Sequence, residues 1–213
     1  MQTNPHPAHR DTYRHGDLRR VLLAIGTELA REGGPEAVVL REATRRAGVA
    51  PNAAYRHFAD RQALLYAVCA AAQAAIAVAI EAELATIPVA GDPADRARAQ
   101  LRAVGTGYMR FAQDEPGLFR TAFSVPAVLQ SPVIPVGVGE TGLGPFGLLA
   151  AALDALVEAE VLPRERRPGA EFLAWSAVHG LALLAIDGPL RGLDRTQTAA
   201  IGQRLIDMVE RGL

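Results

Sequence analysis

The most specific chemistry in the sequence lies in residues 40–61, where polar and basic side chains follow one another at short spacing. The stretch carries Asn52, Tyr55, His57 and Arg61. An asparagine amide can form two hydrogen bonds with the edge of adenine, and Tyr, His and Arg side chains can donate to phosphate oxygens. These residue types would bind nucleic acid if the local structure presented them on one surface.

The elements predicted around these residues are two short helices joined by a tight turn. The first helix is predicted at residues 40–47, and Pro51 opens a second of about seven residues, since proline is tolerated in the first turn of a helix. Gly48 supplies the backbone freedom of the turn, and Ala43 and Ala47 are small enough to let the second helix pack closely. This layout is that of a helix-turn-helix, whose second helix enters the major groove of DNA.

The sequence of this region resembles the tetracycline-repressor (TetR) family over residues 13–66. The matching segments are Tyr13-Arg14-His15-Gly16-Asp17-Leu18-Arg19, Arg41-Glu42, Arg45-Arg46-Ala47-Gly48-Val49, Tyr55-Arg56-His57-Phe58, Asp60-Arg61 and Leu64-Leu65. The combined spacing of the segments makes the resemblance specific. It implies an all-α protein with an N-terminal three-helix helix-turn-helix domain that binds double-stranded DNA.

The resemblance also implies roles for individual side chains. Tyr55 and His57 would hold backbone phosphates, and Arg61 would do the same from the start of the fourth helix. Asn52 and Ala53 would face base edges. The full set of candidate DNA-binding residues is Arg14, Arg41, Pro51, Asn52, Ala53, Tyr55, Arg56, His57 and Arg61.

Two positions depart from the family's pattern. Val39 stands where the second helix usually has a Thr or Ser cap, and Ala50 stands where a Ser usually precedes the recognition helix. Neither side chain accepts a hydrogen bond from a first-turn N–H, which costs about 1 kcal/mol at each site, and two possible phosphate contacts are lost as well. We expect a weaker grip on the DNA backbone, offset by Arg14 and the N-terminal arm. The alternative is a helical ligand- or partner-binding protein whose DNA-binding part is vestigial.

The rest of the chain is predicted to be helical, since alanine and leucine dominate it and aromatic residues make up only 5% of the sequence. Besides the two short helices, helices are predicted from Asp17 to the Gly33-Gly34-Pro35 break, from Asp60 to about Ile87, and at about 94–113, 116–124, 145–160, 168–187 and 194–212. The predicted fold class is all-α with about nine helices. The predicted divisions are a mobile arm at 1–13, a DNA-binding domain at 14–66 and a helical effector-binding and dimerisation domain at 67–213.

The segment Trp175-Ser176-Ala177-Val178-His179-Gly180 is similar to the Trp-His-Gly signature of one subgroup of TetR-type ligand domains. That similarity implies a pocket for a small-molecule effector among the C-terminal helices. The candidate lining residues are Tyr108, Phe111, Phe119, Phe123, Phe146, Trp175 and His179. For each of them the alternative is a plain core position, because aromatic residues at helical spacing most often fill a core.

The last two predicted helices are too apolar for free surface helices. In the family this pair forms a four-helix bundle with the same pair of a second subunit, so the resemblance implies a homodimer. A two-fold dimer would present two recognition helices to successive major-groove faces, and its operator should then be near-palindromic.

The sequence predicts no catalytic site, metal site or cofactor. Residues 137–142 match the Gly-x-Gly-x-x-Gly dinucleotide fingerprint, but Pro135 interrupts the preceding stretch and no strands follow, so a flexible loop is predicted there. His6 and His9 lie in the predicted arm and are not expected to form a metal site. Cys69 is expected to be a buried structural thiol.

Charge and hydropathy agree with a protein that meets DNA at one end. Residues 1–61 carry more arginine than acid, and the remainder carries more acid than arginine. The N-terminus has no apolar core typical of a secretory signal, and the longest nearly apolar run, residues 67–80, is shorter than the roughly 20 residues that cross a bilayer. We expect a cytoplasmic protein with no membrane partner.

Overall fold

The computed structural model describes residues 15–125 and 137–213, and these residues form nine α-helices and no β-strand. In chain order they are α1 (His15–Gly33), α2 (Leu40–Ala47), α3 (Pro51–Tyr55), α4 (Arg61–Leu84), α5 (Pro93–Asp114), α6 (Pro116–Ala122), α7 (Pro145–Glu158), α8 (Ala170–Ile186) and α9 (Arg195–Gly212). The predicted all-α fold is confirmed. The predicted arm and the candidate Arg14 lie outside the described residues.

Proline and aspartate set most of the helix starts. Helices α3, α5, α6 and α7 each have proline in the first turn, where its missing N–H is not needed. Asp60, Asp92 and Asp194 cap α4, α5 and α9 by accepting hydrogen bonds from first-turn N–H groups. Asp60 thus marks the predicted start of α4 as its N-cap.

Six helices differ from their predicted bounds by two or three residues. Helices α4, α6 and α7 end earlier than predicted, at Leu84, Ala122 and Glu158. Helix α1 begins at His15, before the predicted start at Asp17. Helix α3 ends at Tyr55, because the chain turns there and brings Phe58 into the core. The Phe58 N–H donates a hydrogen bond of 2.9 Å to the carbonyl oxygen of the buried Ala54. Helix α8 begins at Ala170, because the glycine before it takes a left-handed conformation with φ 78°.

Helices α1, α2 and α3 form what we call the head, and they pack around a small apolar core. Gly48, between α2 and α3, has φ 67°, a left-handed conformation that favours glycine and makes the predicted turn possible. Val39 and Ala50 occupy the N-cap positions of α2 and α3, and neither provides a side-chain cap. The predicted loss of both caps is confirmed. The buried residues of the head include Leu22, Val38, Leu40, Ala43, Ala54 and Phe58.

Helix α4 runs from the head into the body, our name for α4 to α9, and packs there against α5, α6 and α7. Its length and apolar composition would suffice to cross a membrane, but 44% of its apolar window is buried inside the protein. Its apolar character is thus accounted for by its place in the core. The helix passes the predicted domain boundary at residues 66 and 67 without a break.

The head and the body also meet where α6 lies on the last turns of α1. A Cβ atom on the buried Gly117 would come within 2.4 Å of the carbonyl oxygen of Ala30 and 2.5 Å of that of Arg31. Only glycine permits this approach. Beside it, Arg31 Nε donates a hydrogen bond of 2.8 Å to Glu115 Oε2. Helix α6 is therefore fixed directly to the backbone of the head.

Candidate functional site

Helix α3 presents a polar surface to solvent. Asn52, Tyr55 and Arg56 are exposed, and Tyr55 keeps 48% of its surface accessible. Ala54 and Phe58 lie buried beneath them. Because the buried pair fixes the rotation of the helix, the amide, the phenol and the guanidinium point away from the head and can reach a ligand as large as a DNA duplex.

The other predicted DNA-binding residues differ from one another in their exposure to solvent. Arg41 and Pro51 are exposed at the starts of α2 and α3. Ala53 is partly buried and packs against the core of the head, so its methyl group presents only a small area. His57 is partly buried in the turn after α3, where its N–H bonds to the Ala54 carbonyl at 2.9 Å.

Two arginines of α2 are held by acidic side chains within the head. Arg46 forms paired hydrogen bonds of 2.8 Å with Glu32 of α1, and its Nε donates to Glu42 at 2.9 Å. Arg45 forms paired bonds of 2.8 and 2.7 Å with the same Glu42. These guanidinium groups lower the pKa of Glu42 to about 2. The network ties α2 to α1 and leaves Arg41, which has no acidic partner among the described residues, as the cation of α2 best placed for a phosphate.

Arg61 has a structural partner set that the sequence did not reveal. Its Nε donates to the Val38 carbonyl at 2.9 Å and its Nη2 to the Pro35 carbonyl at 2.8 Å, with Glu36 at 3.3 Å. The guanidinium therefore ties the first residue of α4 to the connection between α1 and α2. A phosphate contact by Arg61, as the family resemblance implies, would share the guanidinium with these bonds.

Six of the seven predicted effector residues form one aromatic cluster in the body. Its rings come from α5, α6 with the residue that follows it, α7 and α8, and neighbouring ring centroids lie 4.8 to 6.3 Å apart. Phe119 is fully buried, whereas Phe123, Phe146, Trp175 and His179 keep partial exposure. The cluster members are Tyr108, Phe119, Phe123, Phe146, Trp175 and His179.

The remaining candidate, Phe111, is buried on α5 but makes no ring contact with the cluster among the described residues. Its side chain fills the core, which was the alternative for every residue of the set. Phe172 extends the cluster from α8, with its ring 5.6 Å from Phe146. The sequence contains no signal for this contact between α7 and α8.

A chain of hydrogen bonds crosses the cluster. Trp175 Nε1 donates to the Tyr108 hydroxyl oxygen at 3.1 Å, and that hydroxyl lies 2.7 Å from His179 Nδ1. Burial raises the pKa of Tyr108 far above its ordinary value and lowers the pKa of His179. Both side chains are therefore neutral at neutral pH.

Helix α6 connects the aromatic cluster with the head. Phe119 and the residue after the helix, Phe123, belong to the cluster, while Gly117 of the same helix rests on the carbonyl groups of α1. Arg120 faces the other way, with its Nη1 bonded to Asp187 at 3.1 Å and its Nε beside Gly34 of the head. One short helix thus carries both the ring contacts and the head contacts.

The glycine-rich loop at residues 137–142 is anchored rather than free. The carboxylate of Glu81 on α4 accepts hydrogen bonds from the N–H groups of Glu140 and Thr141 at 2.9 and 3.0 Å, and from the Thr141 hydroxyl at 2.6 Å. The donors that a dinucleotide phosphate would need are taken by this internal carboxylate. Residues 137–142 form a loop, as predicted, and the sequence did not reveal its anchor on Glu81. About two turns earlier on α4, the Oε1 atom of Gln73 accepts a hydrogen bond of 3.3 Å from the Gly137 N–H.

Cys69 is buried on α4, and its Sγ lies 3.0 Å from the Thr121 carbonyl oxygen, to which it donates. Burial raises the pKa of its thiol, which keeps it unreactive. The predicted burial of this thiol is confirmed. Within the described residues, no three His, Cys, Asp or Glu side chains come together as a metal site.

Helices α8 and α9 pack against each other and leave an apolar face exposed. Leu173 keeps 69% of its surface accessible, and the space around Gly180 is open. An apolar face of this kind is typical of an interface with another chain. Its large exposed side chains are Phe172, Leu173, Leu183 and Leu184 on α8 and Ile201 and Met208 on α9.

A helix-turn-helix head with an exposed α3 and an all-helical body define a class of DNA-binding regulators. Residues 22–68 match the model of bacterial regulatory proteins of the tetR family, and residues 101–209 match the tetracyclin repressor-like C-terminal domain. The chain belongs to the tetracycline-repressor family and is a DNA-binding transcription regulator.

Solved structures share the fold of this chain. A protein of unknown function from Rhodococcus sp. RHA1 superposes with a TM-score of 0.68 and 26% identity, over 96% of this chain and 99% of the other. SCO4313, a provisionally assigned regulatory protein, superposes with a TM-score of 0.58 and 18% identity, over 95% and 98% of the two chains, and shows likeness of fold alone. No significant match was found among curated proteins.

Proposed function

We propose that the protein is a transcriptional repressor that binds a near-palindromic operator as a homodimer and leaves it when a small molecule binds at the aromatic cluster. The observation that carries the proposal is the position of α6. The same short helix supplies Phe119 to the cluster and places Gly117 on the backbone of the head. A ligand that displaced the rings would therefore move the head.

On the DNA side, the exposed residues of α3 would enter the major groove. Asn52 would read a base edge, with Ala53 and Pro51 in van der Waals range, and Tyr55 and His57 would donate to phosphates. Arg41 and Arg56, which have no acidic partner among the described residues, would add phosphate contacts. Arg14 and Arg61 complete the proposed set.

The proposed dimer forms through α8 and α9. Their exposed apolar face would be covered by the same face of a second subunit, since an isologous interface buries one patch against its copy. The segment from Trp175 to Gly180 lies on α8, within this pair, and supports a place in the Trp-His-Gly subgroup. With DNA binding assigned to residues 14–66 and the effector and dimer functions to residues 67–213, the chain would act without catalysis, in the cytoplasm.

Release requires that the effector bind the DNA-incompetent state more tightly than the DNA-competent state. Two helices, α4 and α6, can transmit a structural change from the effector site to the head. Helix α4 is continuous from the head to the core of the body, and α6 contacts both. Because Arg61 ties α4 to the α1–α2 connection, a shift of α4 would move all three head helices together.

The test is a fluorescence anisotropy titration of the protein onto a labelled fragment of its own upstream region, beside an unrelated fragment, at two salt concentrations. We expect tight, selective binding that weakens steeply with salt, since several phosphates are contacted. Tyr55→Ala should lose this binding. The matched control is Val89→Ala, an exposed site in the body, which should bind as the wild type. Weak binding that is equal on both fragments and unchanged by Tyr55→Ala would favour a partner-binding protein with a vestigial head.

A further inference from the structure

The hydrogen-bond chain in the aromatic cluster determines which nitrogen of His179 carries the proton. An indole N–H is a donor only, so Trp175 must donate to the Tyr108 oxygen. The described residues offer the Tyr108 hydroxyl one acceptor, His179 Nδ1 at 2.7 Å. A buried hydroxyl hydrogen without an acceptor is costly, so Nδ1 accepts and the proton of the neutral imidazole sits on Nε2.

Among the donors of Trp175, Tyr108 and His179, only the Nε2–H of His179 is left without an acceptor among the described residues. No described group accepts from it, and His179 is only partly buried. The Trp175 N–H donates to Tyr108, and the Tyr108 hydroxyl donates to His179 Nδ1. A molecule that enters the cluster therefore meets a single directed donor, held in place by two hydrogen bonds behind it.

The rest of the surface is aromatic and uncharged. The His179 ring lies 4.8 Å from Phe123, 5.5 Å from Trp175 and 5.6 Å from Phe119. No ion pair among the described residues includes a member of the cluster. A charged ligand would lose its hydration there without gaining a counter-charge.

We propose that the effector is an uncharged molecule with a flat apolar body and a hydrogen-bond acceptor that receives the Nε2–H of His179. This inference rests on the proposed effector function of the cluster and specifies the chemistry of that site. The rings supply contact area for the flat body, and the single donor fixes its orientation.

Three two-ring aromatic probes test the proposal by isothermal titration calorimetry on the full-length protein at pH 8. Quinoline offers a ring nitrogen as acceptor, naphthalene offers none, and N-methylquinolinium carries a positive charge and no acceptor. We expect quinoline to bind about five- to tenfold more tightly than naphthalene, the gain of one hydrogen bond, and the cation to bind most weakly.

Two variants of His179 separate its nitrogens. In His179→Asn the amide oxygen can lie near the former Nδ1 position, so this variant keeps an acceptor for Tyr108 and removes the donor at Nε2. His179→Gln can place an N–H near Nε2. We expect His179→Asn to bind quinoline and naphthalene within about twofold of each other, with naphthalene affinity retained. His179→Gln should keep the preference for quinoline.

The outcomes distinguish this inference from the proposed function. Equal affinity of quinoline and naphthalene for the wild type would overturn the acceptor requirement and leave the effector site standing. Tightest binding of N-methylquinolinium would overturn the uncharged class, since aromatic rings can also attract cations. Failure of all three probes to bind, with quinoline and N-methylquinolinium at millimolar concentration and naphthalene at its solubility limit, would overturn both the inference and the effector function of the cluster.

Discussion

Replacing Gly117 by alanine tests the contact through which α6 holds the head. The new Cβ would stand 2.4 Å from the Ala30 oxygen and 2.5 Å from the Arg31 oxygen, well inside contact distance, and both neighbours are backbone that cannot rotate away. Overpacking a buried site costs about 1–3 kcal/mol, and alanine returns about 0.5–1 kcal/mol of helix propensity. Because both contacts are with fixed backbone atoms, the cost should lie in the upper half of its range, and we expect a net loss of about 1–2 kcal/mol in the free energy of unfolding.

Urea denaturation followed by circular dichroism measures this loss. With a slope of about 2 kcal/mol per molar urea, the midpoint of Gly117→Ala should fall by about 0.5–1 M. The matched control is Gly147→Ala on α7, where the new Cβ would meet Leu143 at an ordinary 3.4 Å and stability should hold or rise. Operator binding should weaken in Gly117→Ala alone, because α6 must move off α1. If both variants unfold at the wild-type midpoint and bind operator equally, the α6 contact does not hold the head.

Three further predictions follow from the body. Leu173→Arg, on the exposed face of α8, should halve the mass measured by light scattering at micromolar concentration, because a charge would be buried in the dimer interface; Val89→Arg, on an exposed loop, should leave the mass unchanged. Burial alone would raise the pKa of Glu81, but hydrogen bonds from the Thr141 hydroxyl and from loop N–H groups lower it. Because Glu81→Ala removes the acceptor of these bonds, amide hydrogen exchange at Thr141 should become about tenfold faster, which corresponds to about 1.4 kcal/mol of lost protection. Unchanged exchange would show that the anchor is not formed. Burial also lowers the pKa of His179, so the unfolded chain binds more protons than the folded chain below pH about 6.5. The free energy of unfolding should therefore fall as the pH drops through this value, and it should fall less in His179→Gln. If the free energy of unfolding has the same pH dependence in both proteins, the burial of a neutral imidazole is contradicted.

The helices were predictable because their ends are marked locally. Asp60 caps α4 by a bond within its own first turn, and Gly48 adopts the left-handed turn that separates α2 from α3. These signals act over four or five residues and need no knowledge of the tertiary structure. The end of α3 was missed because burial of Phe58, a tertiary demand, turns the chain after Tyr55.

The candidate sites were predictable only in part, since their contacts join distant residues. The family resemblance implied that Tyr108 and His179 line one pocket, but nothing in the sequence shows that the two side chains share a hydrogen bond. The same holds for Arg61, whose carbonyl partners lie in the α1–α2 connection. Phe111 looked equivalent to Tyr108, one helical turn away on α5, yet its direction into the core excludes it from the cluster.

The most direct test of the account is selection of DNA sites by the purified protein from a pool of random duplexes, followed by sequencing. We expect an enriched, near-palindromic sequence whose two half-sites lie about one helical turn apart, and we expect Tyr55→Ala to enrich nothing. Absence of any enriched sequence with the wild-type protein, under salt conditions in which the protein stays folded, would contradict a sequence-specific regulator.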